Sequence, residues 1–283
     1  MKVLEHVYEP RGACNALFSC REPEVLISGP AGTGKSRACL EKLHLMALVN
    51  PGMRGLIIRK TLASLGSTAL VTWREHVVAE ALENRTVEYY GGSAEHPAQY
   101  RYSNGSVVVV GGMDKASKIM SSEYDAVYVQ EATELTEDDW EALSTRLRHG
   151  KISFQQLMGD ANPNAPTHWL AQRNDKGQTL RLESRHEDNP LLYENDTLTE
   201  RGTEYMARLD ALTGVRYARL RKGLWVAAEG IIYDAARVNL SEADSFGNHC
   251  VVVVPSFGSL IQTAVGSAGG WGGLRTKRSG CSA

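Results

Sequence analysis

The sequence has little that would suit a membrane protein, a disulfide framework or a zinc site. Its five cysteines form no CxxC pair and are not accompanied by paired histidines at zinc-site spacing. No uncharged apolar run reaches the roughly 20 residues of a membrane span, and the first residues lack the basic and apolar regions of a signal peptide. These absences predict a protein of the reducing cytosol that has no membrane partner.

The chain also lacks an excess of either charge. Its 283 residues contain 31 Lys and Arg against 33 Asp and Glu, which gives a formal net charge of −2. A surface that binds nucleic acid must therefore be local rather than global. With 42% hydrophobic and 23% charged residues, the composition is typical of a globular protein of one large domain or two modest ones.

Carboxylates are missing from the end of the chain. No Asp or Glu follows Asp244, and residues 238–283 contain 8 of the 27 glycines but only 5 charged side chains. A two-metal site needs several clustered carboxylates. The sequence after Asp244 therefore lacks the carboxylates that such a site needs.

Short apolar runs alternate with segments of helical periodicity through the first half of the chain. Strands are predicted at residues 24–28, 55–59, 87–90, 99–102, 106–110, 124–129 and 154–158. Helices are predicted at residues 36–49, 70–82 and 137–148. This alternation predicts an α/β fold with a mostly parallel sheet flanked by helices.

The most specific local motif is the segment GPAGTGKS, which matches GxxxxGK[ST] between a predicted strand and a predicted helix. Glycines allow backbone N–H groups to turn around phosphate oxygens, and the following helix directs its positive end at the same anion. Lys35 is expected to reach the β- and γ-phosphates, and Ser36 offers its hydroxyl to Mg²⁺. The predicted nucleotide-binding residues are Gly29, Pro30, Ala31, Gly32, Thr33, Gly34, Lys35 and Ser36.

Hydrolysis of a nucleotide also needs a group that polarises the attacking water, and Glu131 is placed for this role. It follows the apolar run 124–129, at the edge of an open α/β sheet where ligands collect. The position before it is Gln130, whose neutral amide is a weaker ligand for Mg²⁺ than a carboxylate. Either Ser36, phosphates and water hold the ion while Gln130 stays outside its direct ligands, or hydrolysis is impaired.

Several motifs, taken together and in order, resemble a phage terminase large subunit. The resemblance runs from about Tyr8 to Asp234 and is far more specific than the phosphate loop alone. It rests on residues 29–36, 59–61, 121–135, 159–163, 168–170, 186–192 and 223–233.

The resemblance implies an ATPase motor that drives double-stranded DNA into a viral procapsid. It implies a RecA-like (ASCE) P-loop core, with Glu131 as the catalytic carboxylate and Asn162 as the residue that senses the γ-phosphate and couples its loss to DNA movement. ATP is then the substrate and Mg²⁺ the cofactor. The implied partners are double-stranded DNA, a portal protein, a small terminase subunit and further copies of the chain in a ring, at the procapsid portal in the host cytoplasm.

Arginines are expected to neutralise charge in the transition state, in cis or from a neighbouring subunit. The candidates are Arg59, Arg146 and Arg148. A second group of basic residues lies between Arg201 and Lys222. It suits either phosphates of DNA or a helix face balanced by Glu204 and Asp210.

We predict three parts: an ATPase core at residues 1–185, a linker or small subdomain at 186–237, and a divergent, poorly ordered tail at 238–283. In full-length members of the resembled family a nuclease domain follows a segment like residues 230–233. Because the pattern fades near Arg237 and carboxylates are absent beyond Asp244, we expect the nuclease domain to be missing or truncated and this chain to have no nuclease activity.

Two other functions remain open from the residues. One is another P-loop enzyme, such as a helicase-like ATPase or a small-molecule kinase, although no arginine-bearing lid or acceptor pocket of a kinase is recognisable. The other is a nucleotide-binding module with impaired hydrolysis, a hypothesis that Gln130 favours.

Overall fold

A computed structural model describes residues 6–227, 249–253 and 263–267. The chain divides into two compact units, Met1–Glu229 and Gly230–Ala283. In the second unit, strands His249–Val253 and Thr263–Ser267 pair antiparallel. Most of the predicted tail and the end of the predicted subdomain 186–237 lie outside the described residues.

The first unit alternates strands and helices. Its strands are β1 (Glu24–Ser28), β2 (Arg54–Arg59), β3 (Val87–Tyr90), β4 (Gln99–Tyr102), β5 (Val107–Gly112), β6 (Ala126–Val129), β7 (Gln156–Ala161), β8 (Leu180–Glu183), β9 (Tyr193–Glu194) and β10 (Thr197–Leu198). Its α-helices are α1 (Gly12–Ser19), α2 (Lys35–Val49), α3 (Leu62–Gly66), α4 (Ala69–Thr72), α5 (Ala79–Glu83), α6 (Ser117–Met120), α7 (Glu137–Ser144), α8 (Trp169–Asp175), α9 (Glu200–Asp210) and α10 (Gly214–Leu220). None of the helices within the described ranges combines the length and the apolarity that crossing a bilayer requires.

Eight strands form one sheet in the order β3-β4-β5-β2-β6-β7-β1-β8. The pairs from β5 through β8 are parallel, and only β3–β4 and β4–β5 are antiparallel. Helices cover both faces: Leu43 of α2 belongs to one apolar core, and Trp140 of α7 and Leu170 of α8 belong to the other. The predicted mostly parallel sheet flanked by helices is therefore confirmed.

Two predicted helices were wrong in extent. The segment predicted as one helix at 70–82 is broken by a π-helical turn at Trp73–Val77, where the N–H of Val78 donates to the carbonyl of Trp73. Trp73, Val77 and Val78 are all fully buried. The helix predicted to reach residue 148 ends at Ser144, because the N–H of Arg148 donates instead to Tyr124 before β6.

Strand β7 begins and ends later than predicted, at Gln156 and Ala161 rather than at 154 and 158. Gly159 packs beneath the ring of Trp140, where an added Cβ would lie 3.0 Å from the ring. Parallel pairing with β1 on one side and β6 on the other keeps the polar residues extended. The later end places Asp160 inside the strand.

Candidate active site

The phosphate-loop motif connects the carboxyl end of β1 to the amino end of α2, as a phosphate site requires. Gly32 and Gly34 have φ angles of 78° and 87°, which favour glycine. An added Cβ at Gly29 would lie 2.3 Å from the carbonyl oxygen of Ser184, whereas one at Gly34 would meet no atom within 4 Å. Glycine is therefore needed at Gly29 for packing and at Gly34 for backbone conformation.

The ammonium of Lys35 lies beneath the loop and is almost fully buried. It donates to the carbonyl oxygens of Gly29 and Pro30, at 3.1 and 2.6 Å, and to Oδ1 of Asn162 at 3.2 Å. Burial lowers the pKa of Lys35, and the nearby carboxylates of Asp160 and Glu131 oppose that shift. The loop lysine and the predicted sensor Asn162 are thus in direct contact.

A hydrogen-bonded group centred on Asp160 lies beside the loop. Oδ2 of Asp160 accepts from the Ser36 hydroxyl at 2.5 Å. Oδ1 accepts from the Tyr128 hydroxyl at 2.9 Å and from the N–H of Glu131 at 3.1 Å. Asp160 therefore joins the loop to the end of β6.

Glu131 follows β6 with a left-handed backbone, φ 50°. This conformation is uncommon for a non-glycine residue and costs free energy, so the surrounding structure must hold it in place. Burial and the neighbouring Asp160 raise the pKa of Glu131 to about 7, while Lys35 and Arg59 lower it. The carboxylate thus lies in the field of the loop lysine.

The side chain of Gln130 bonds to Thr68 and not to Ser36, where Mg²⁺ is expected. This arrangement does not favour direct contact between Gln130 and the ion. Oε1 of Gln130 accepts a hydrogen bond of 2.8 Å from the Thr68 hydroxyl, in the connection between α3 and α4. The Ser36 hydroxyl bonds to Asp160 instead. Sequence reasoning missed Asp160 because β7 was predicted to end at residue 158, although Asp160 lies inside the motif at residues 159–163.

The three candidate arginines lie at different edges of the sheet. Arg59 ends β2 on the side of Glu131 and donates two hydrogen bonds to Glu134, at 2.8 and 2.6 Å, which raise the pKa of its guanidinium. Arg146 and Arg148 lie beside Tyr124, before the amino end of β6, through backbone hydrogen bonds. Within one chain, only Arg59 of the three is close to Glu131.

Residues far along the sequence pack against the phosphate loop; of these, Asn189 lies in the motif at residues 186–192, whereas no sequence signal pointed to Tyr205 or Leu220. The N–H of Ala31 donates to the carbonyl of Leu220 at 3.1 Å, and Nδ2 of Asn189 donates to the carbonyl of Gly32 at 2.7 Å. The Tyr205 ring of α9 lies against Gly32, where an added Cβ would be 2.6 Å from its Cε1. The segment from β8 to α10 therefore covers one side of the loop.

The basic residues of this segment are partly neutralised. Arg221 pairs with Asp210 at 2.6 Å, and Arg208 pairs with Glu204 at 3.6 Å. Arg216 is exposed. Glu204 and Asp210 thus both pair with arginines, as the alternative of a charge-balanced helix face requires.

The donor atoms present fit Mg²⁺. The Ser36 hydroxyl and the Asp160 carboxylate are hard oxygen donors, which this ion prefers. Across the described ranges, no group of three or more His, Cys, Asp or Glu side chains is placed to hold a metal. Mg²⁺ commonly takes its other ligands from substrate phosphates and water.

Comparison with known proteins identifies one family. The sequence model of the phage terminase large subunit family matches residues 22–207, about two thirds of the chain. The PBSX phage terminase large subunit of Bacillus subtilis (strain 168) is 23% identical over 248 residues, which are 85% of this chain and 53% of that protein. The chain thus spans about half the length of this relative.

Solved structures share the fold. The large terminase of a thermophilic bacteriophage in complex with ADP superposes with a TM-score of 0.58 and 19% identity, over 86% of this chain and 60% of that one. The ATPase domain of the Thermus phage P74-26 large terminase gives a TM-score of 0.58 and 16% identity, over 77% of this chain and 95% of that one. The fold is therefore that of RecA-like P-loop NTPases.

Proposed function

This chain belongs to the phage terminase large subunit family, and we propose that it is the ATP-hydrolysing motor of a terminase that moves double-stranded DNA into a procapsid. One observation carries the proposal. The Lys35 ammonium lies between the phosphate loop and Asn162, in the field of the Glu131 carboxylate. A phosphate-binding loop, a buried cation, a carboxylate and an amide thus meet at one edge of the sheet.

In the proposed reaction, the loop binds the phosphates of ATP through backbone N–H groups and the amino end of α2. Lys35 exchanges its bonds to the Gly29 and Pro30 carbonyls for bonds to the β- and γ-phosphates. Mg²⁺, when bound at Ser36, neutralises charge on those phosphates. The large terminase of the thermophilic bacteriophage, which has the same fold and holds ADP, supports a nucleotide as the ligand.

Glu131 is the proposed catalytic carboxylate, which orients and polarises the water that attacks the γ-phosphate. It follows Gln130 just beyond the end of β6 with a left-handed backbone, and although burial and Asp160 raise the pKa of its carboxyl to about 7, Lys35 and Arg59 oppose that rise. Asn162 is the proposed sensor, because loss of the γ-phosphate changes the bonding of Lys35 and hence that of its amide partner.

Arg59 is the proposed arginine of the same chain. It has to leave Glu134 in order to reach a phosphate. Arg146 and Arg148 lie at the opposite edge, so for them we propose a role only at the site of a neighbouring subunit. Such a role requires a ring of subunits.

The partners proposed for the motor are double-stranded DNA, a portal protein, a small terminase subunit and further copies of the chain, at the portal in the host cytoplasm. We propose residues 1–185 as the ATPase core and 186–237 as a linking subdomain. The exposed Arg216 and the basic residues around it supply local positive charge for DNA phosphates on a chain of net charge −2.

The proposal is tested by phosphate release from ATP with and without duplex DNA, over a range of protein concentrations. We expect turnover that rises with DNA and a rate per subunit that rises with concentration, because neighbouring subunits complete the site. The Lys35→Ala variant is expected to lose turnover. Turnover without any response to DNA would favour another P-loop ATPase, and tight ATP binding without turnover would favour a nucleotide-binding module.

A further inference from the structure

The residue before the proposed catalytic carboxylate is an amide, so the magnesium site needs its negative charge from elsewhere. Mg²⁺ in phosphate-loop sites is held by the loop Ser or Thr together with an acidic side chain on a neighbouring strand. Gln130 carries no charge, and its amide oxygen accepts from Thr68. A carboxylate for this site must therefore come from a strand other than β6, and β7 lies next to the strand that enters the loop.

Strand β7 lies between β6 and β1 in the sheet. Its Gly159 pairs with Val129 of β6, and Asp160 pairs with Ile27 of β1. Asp160 is thus one residue beyond the partner of Val129, level with Gln130 and beside the strand that enters the phosphate loop. The fold places the Asp160 carboxylate one strand closer to the loop than the side chain of Gln130.

The hydrogen bonds of Asp160 leave room for an ion or its bound water. An ionised carboxylate has about four acceptor positions. Oδ1 accepts from Tyr128 and Glu131, whereas the described bonds of Oδ2 come from Ser36 alone. Because the Ser36 O–H points at Asp160, the lone pairs of Ser36 Oγ point elsewhere and are available to a cation.

The carboxylate of Asp160 is buried and is compensated by the hydrogen bonds from Ser36, Tyr128 and the N–H of Glu131. The side chain is 1% exposed, and a buried carboxylate destabilises a fold unless charges and hydrogen bonds compensate it. Lys35 lies nearby, but its ammonium bonds to loop carbonyls and to Asn162. A purely structural link between β6, β7 and α2 needs no charge, whereas a magnesium site does.

We propose that Asp160 is the carboxylate of the magnesium site, where it fixes the Ser36 hydroxyl and supplies the negative charge that Gln130 lacks. The proposal rests on the proposed function, since it concerns the ion bound with the nucleotide. It assigns the acidic residue to β7 instead of to the end of β6. Gln130 then serves to hold the α3–α4 connection through Thr68.

The test measures how strongly Mg²⁺ tightens binding of a fluorescent ADP analogue, by titrating the ion into the protein–nucleotide mixture. For Asp160→Asn we expect the apparent Mg²⁺ affinity to fall by about 10- to 100-fold, while binding in EDTA is unchanged or tighter because a negative charge near the phosphates is gone. Gln130→Ala is the matched control and is expected to keep the wild-type Mg²⁺ response. The reverse pattern, a loss in Gln130→Ala but not in Asp160→Asn, would overturn the proposal.

Circular dichroism shows whether Asp160→Asn folds. If it does not fold, a second variant still tests the role of Asp160 in Mg²⁺ binding. Gln130→Glu adds a carboxylate at nearly constant side-chain size. If Asp160 already supplies the charge, we expect the Mg²⁺ affinity to rise by less than about 3-fold, since a first carboxylate is worth about 10-fold or more. A larger gain would show that the site lacked a carboxylate and would overturn the proposal.

These outcomes are separate from a failure of the proposed function. A wild-type chain that binds the nucleotide with a Mg²⁺ response carried by Asp160, but does not hydrolyse ATP, would contradict the motor and leave the magnesium assignment intact. A wild-type chain that binds no nucleotide would contradict both.

Discussion

The ammonium of Lys35 and the amide oxygen of Asn162 lie 3.2 Å apart and share a hydrogen bond beneath the phosphate loop. The contact joins α2 to the loop that follows β7, across 127 residues of sequence. A change in what Lys35 binds therefore changes what Asn162 binds. This is the physical link that a phosphate sensor needs.

Asn162→Ala tests that link. We expect turnover of ATP to fall by about 10- to 100-fold and KM to change by less than about 3-fold, because a residue that acts on the transition state affects turnover more than ground-state binding. The neighbouring Asn164→Ala is the control, since the Oδ1 of Asn164 accepts only from the next backbone N–H among its described bonds. Equal effects of the two variants in steady-state kinetics would contradict a specific role for Asn162.

Gly32→Ala tests the contact between the loop and α9. An alanine Cβ would lie 2.6 Å from the Tyr205 ring, and the φ of 78° disfavours a side chain. We expect ATP affinity to fall by about 10-fold or more, because loop and ring must both shift. Fluorescence titration with an ATP analogue measures this.

Gly52→Ala is the matched control for the backbone strain. Its φ is 76°, but an added Cβ meets no atom within 4 Å. We expect Gly52→Ala to lose about 1 kcal/mol of stability and to keep its affinity for ATP. Loss of affinity in both variants would mean that general destabilisation, rather than the Tyr205 contact, limits binding.

Arg173 connects the two helices α7 and α8 to the strand that enters the phosphate loop. It is 7% exposed and bonds to Glu24 of β1 and to Glu137 and Glu141 of α7. For Arg173→Met we expect the free energy of unfolding to fall by about 3 kcal/mol, because Glu24 is left largely buried without a cation. Urea denaturation of the wild type and the variant measures this difference in the free energy of unfolding.

Arg208→Met serves as the surface comparison for this prediction. Arg208 is 75% exposed and pairs with Glu204 one helical turn away. Its loss is expected to cost less than about 0.5 kcal/mol. Similar midpoints for the two variants would contradict the structural role of Arg173.

Burial of His44 is expected to make the fold less stable at low pH. Burial, with a smaller contribution from the nearby His6, lowers the pKa of His44 to about 4. Its Nδ1 shares a hydrogen bond of 2.7 Å with the Tyr102 hydroxyl. His44 in the unfolded chain takes up a proton near pH 6.5, whereas buried His44 in the folded chain stays neutral down to about pH 4. The free energy of unfolding therefore has its full value above pH 6.5 and decreases as the pH falls from 6.5 toward 4.

His44→Gln isolates this effect from other titrating groups. Between pH 7 and pH 4 we expect the wild type to lose about 3 kcal/mol more stability than the variant does. Denaturant unfolding of both proteins across that pH range provides the measurement. Parallel losses in the two proteins would mean that His44 is not kept neutral by burial.

Local patterns were sufficient to predict the phosphate loop and seven of the eight strands of the large sheet, although β7 was placed too early and β8 was not predicted. The apolar run at Glu24–Ser28, the glycine-rich loop and the helix after it match the structure to within one residue at the helix start. The strand, the loop and the helix each depend on interactions between residues close in sequence. Their structure could therefore be predicted from the local segment alone.

Long-range contacts explain what the sequence did not predict. Asp160 lies in a strand because β1 and β6 pair with it on both sides, although glycine and aspartate are poor strand formers. Tyr205 of α9 contacts Gly32 of the phosphate loop, far away in the sequence. Neither partner can be read from a local pattern, since tertiary packing decides both.

The most direct test of the motor proposal is a single-turnover measurement with Glu131→Gln. Binding of Mg–ATP and release of phosphate are followed on the same samples of wild type and variant. We predict that the variant binds ATP within about 3-fold of the wild type but releases phosphate at least about 100-fold more slowly, as expected for a group used only in the transition state. Phosphate release by Glu131→Gln at the wild-type rate would contradict the assignment of this site as the ATPase centre.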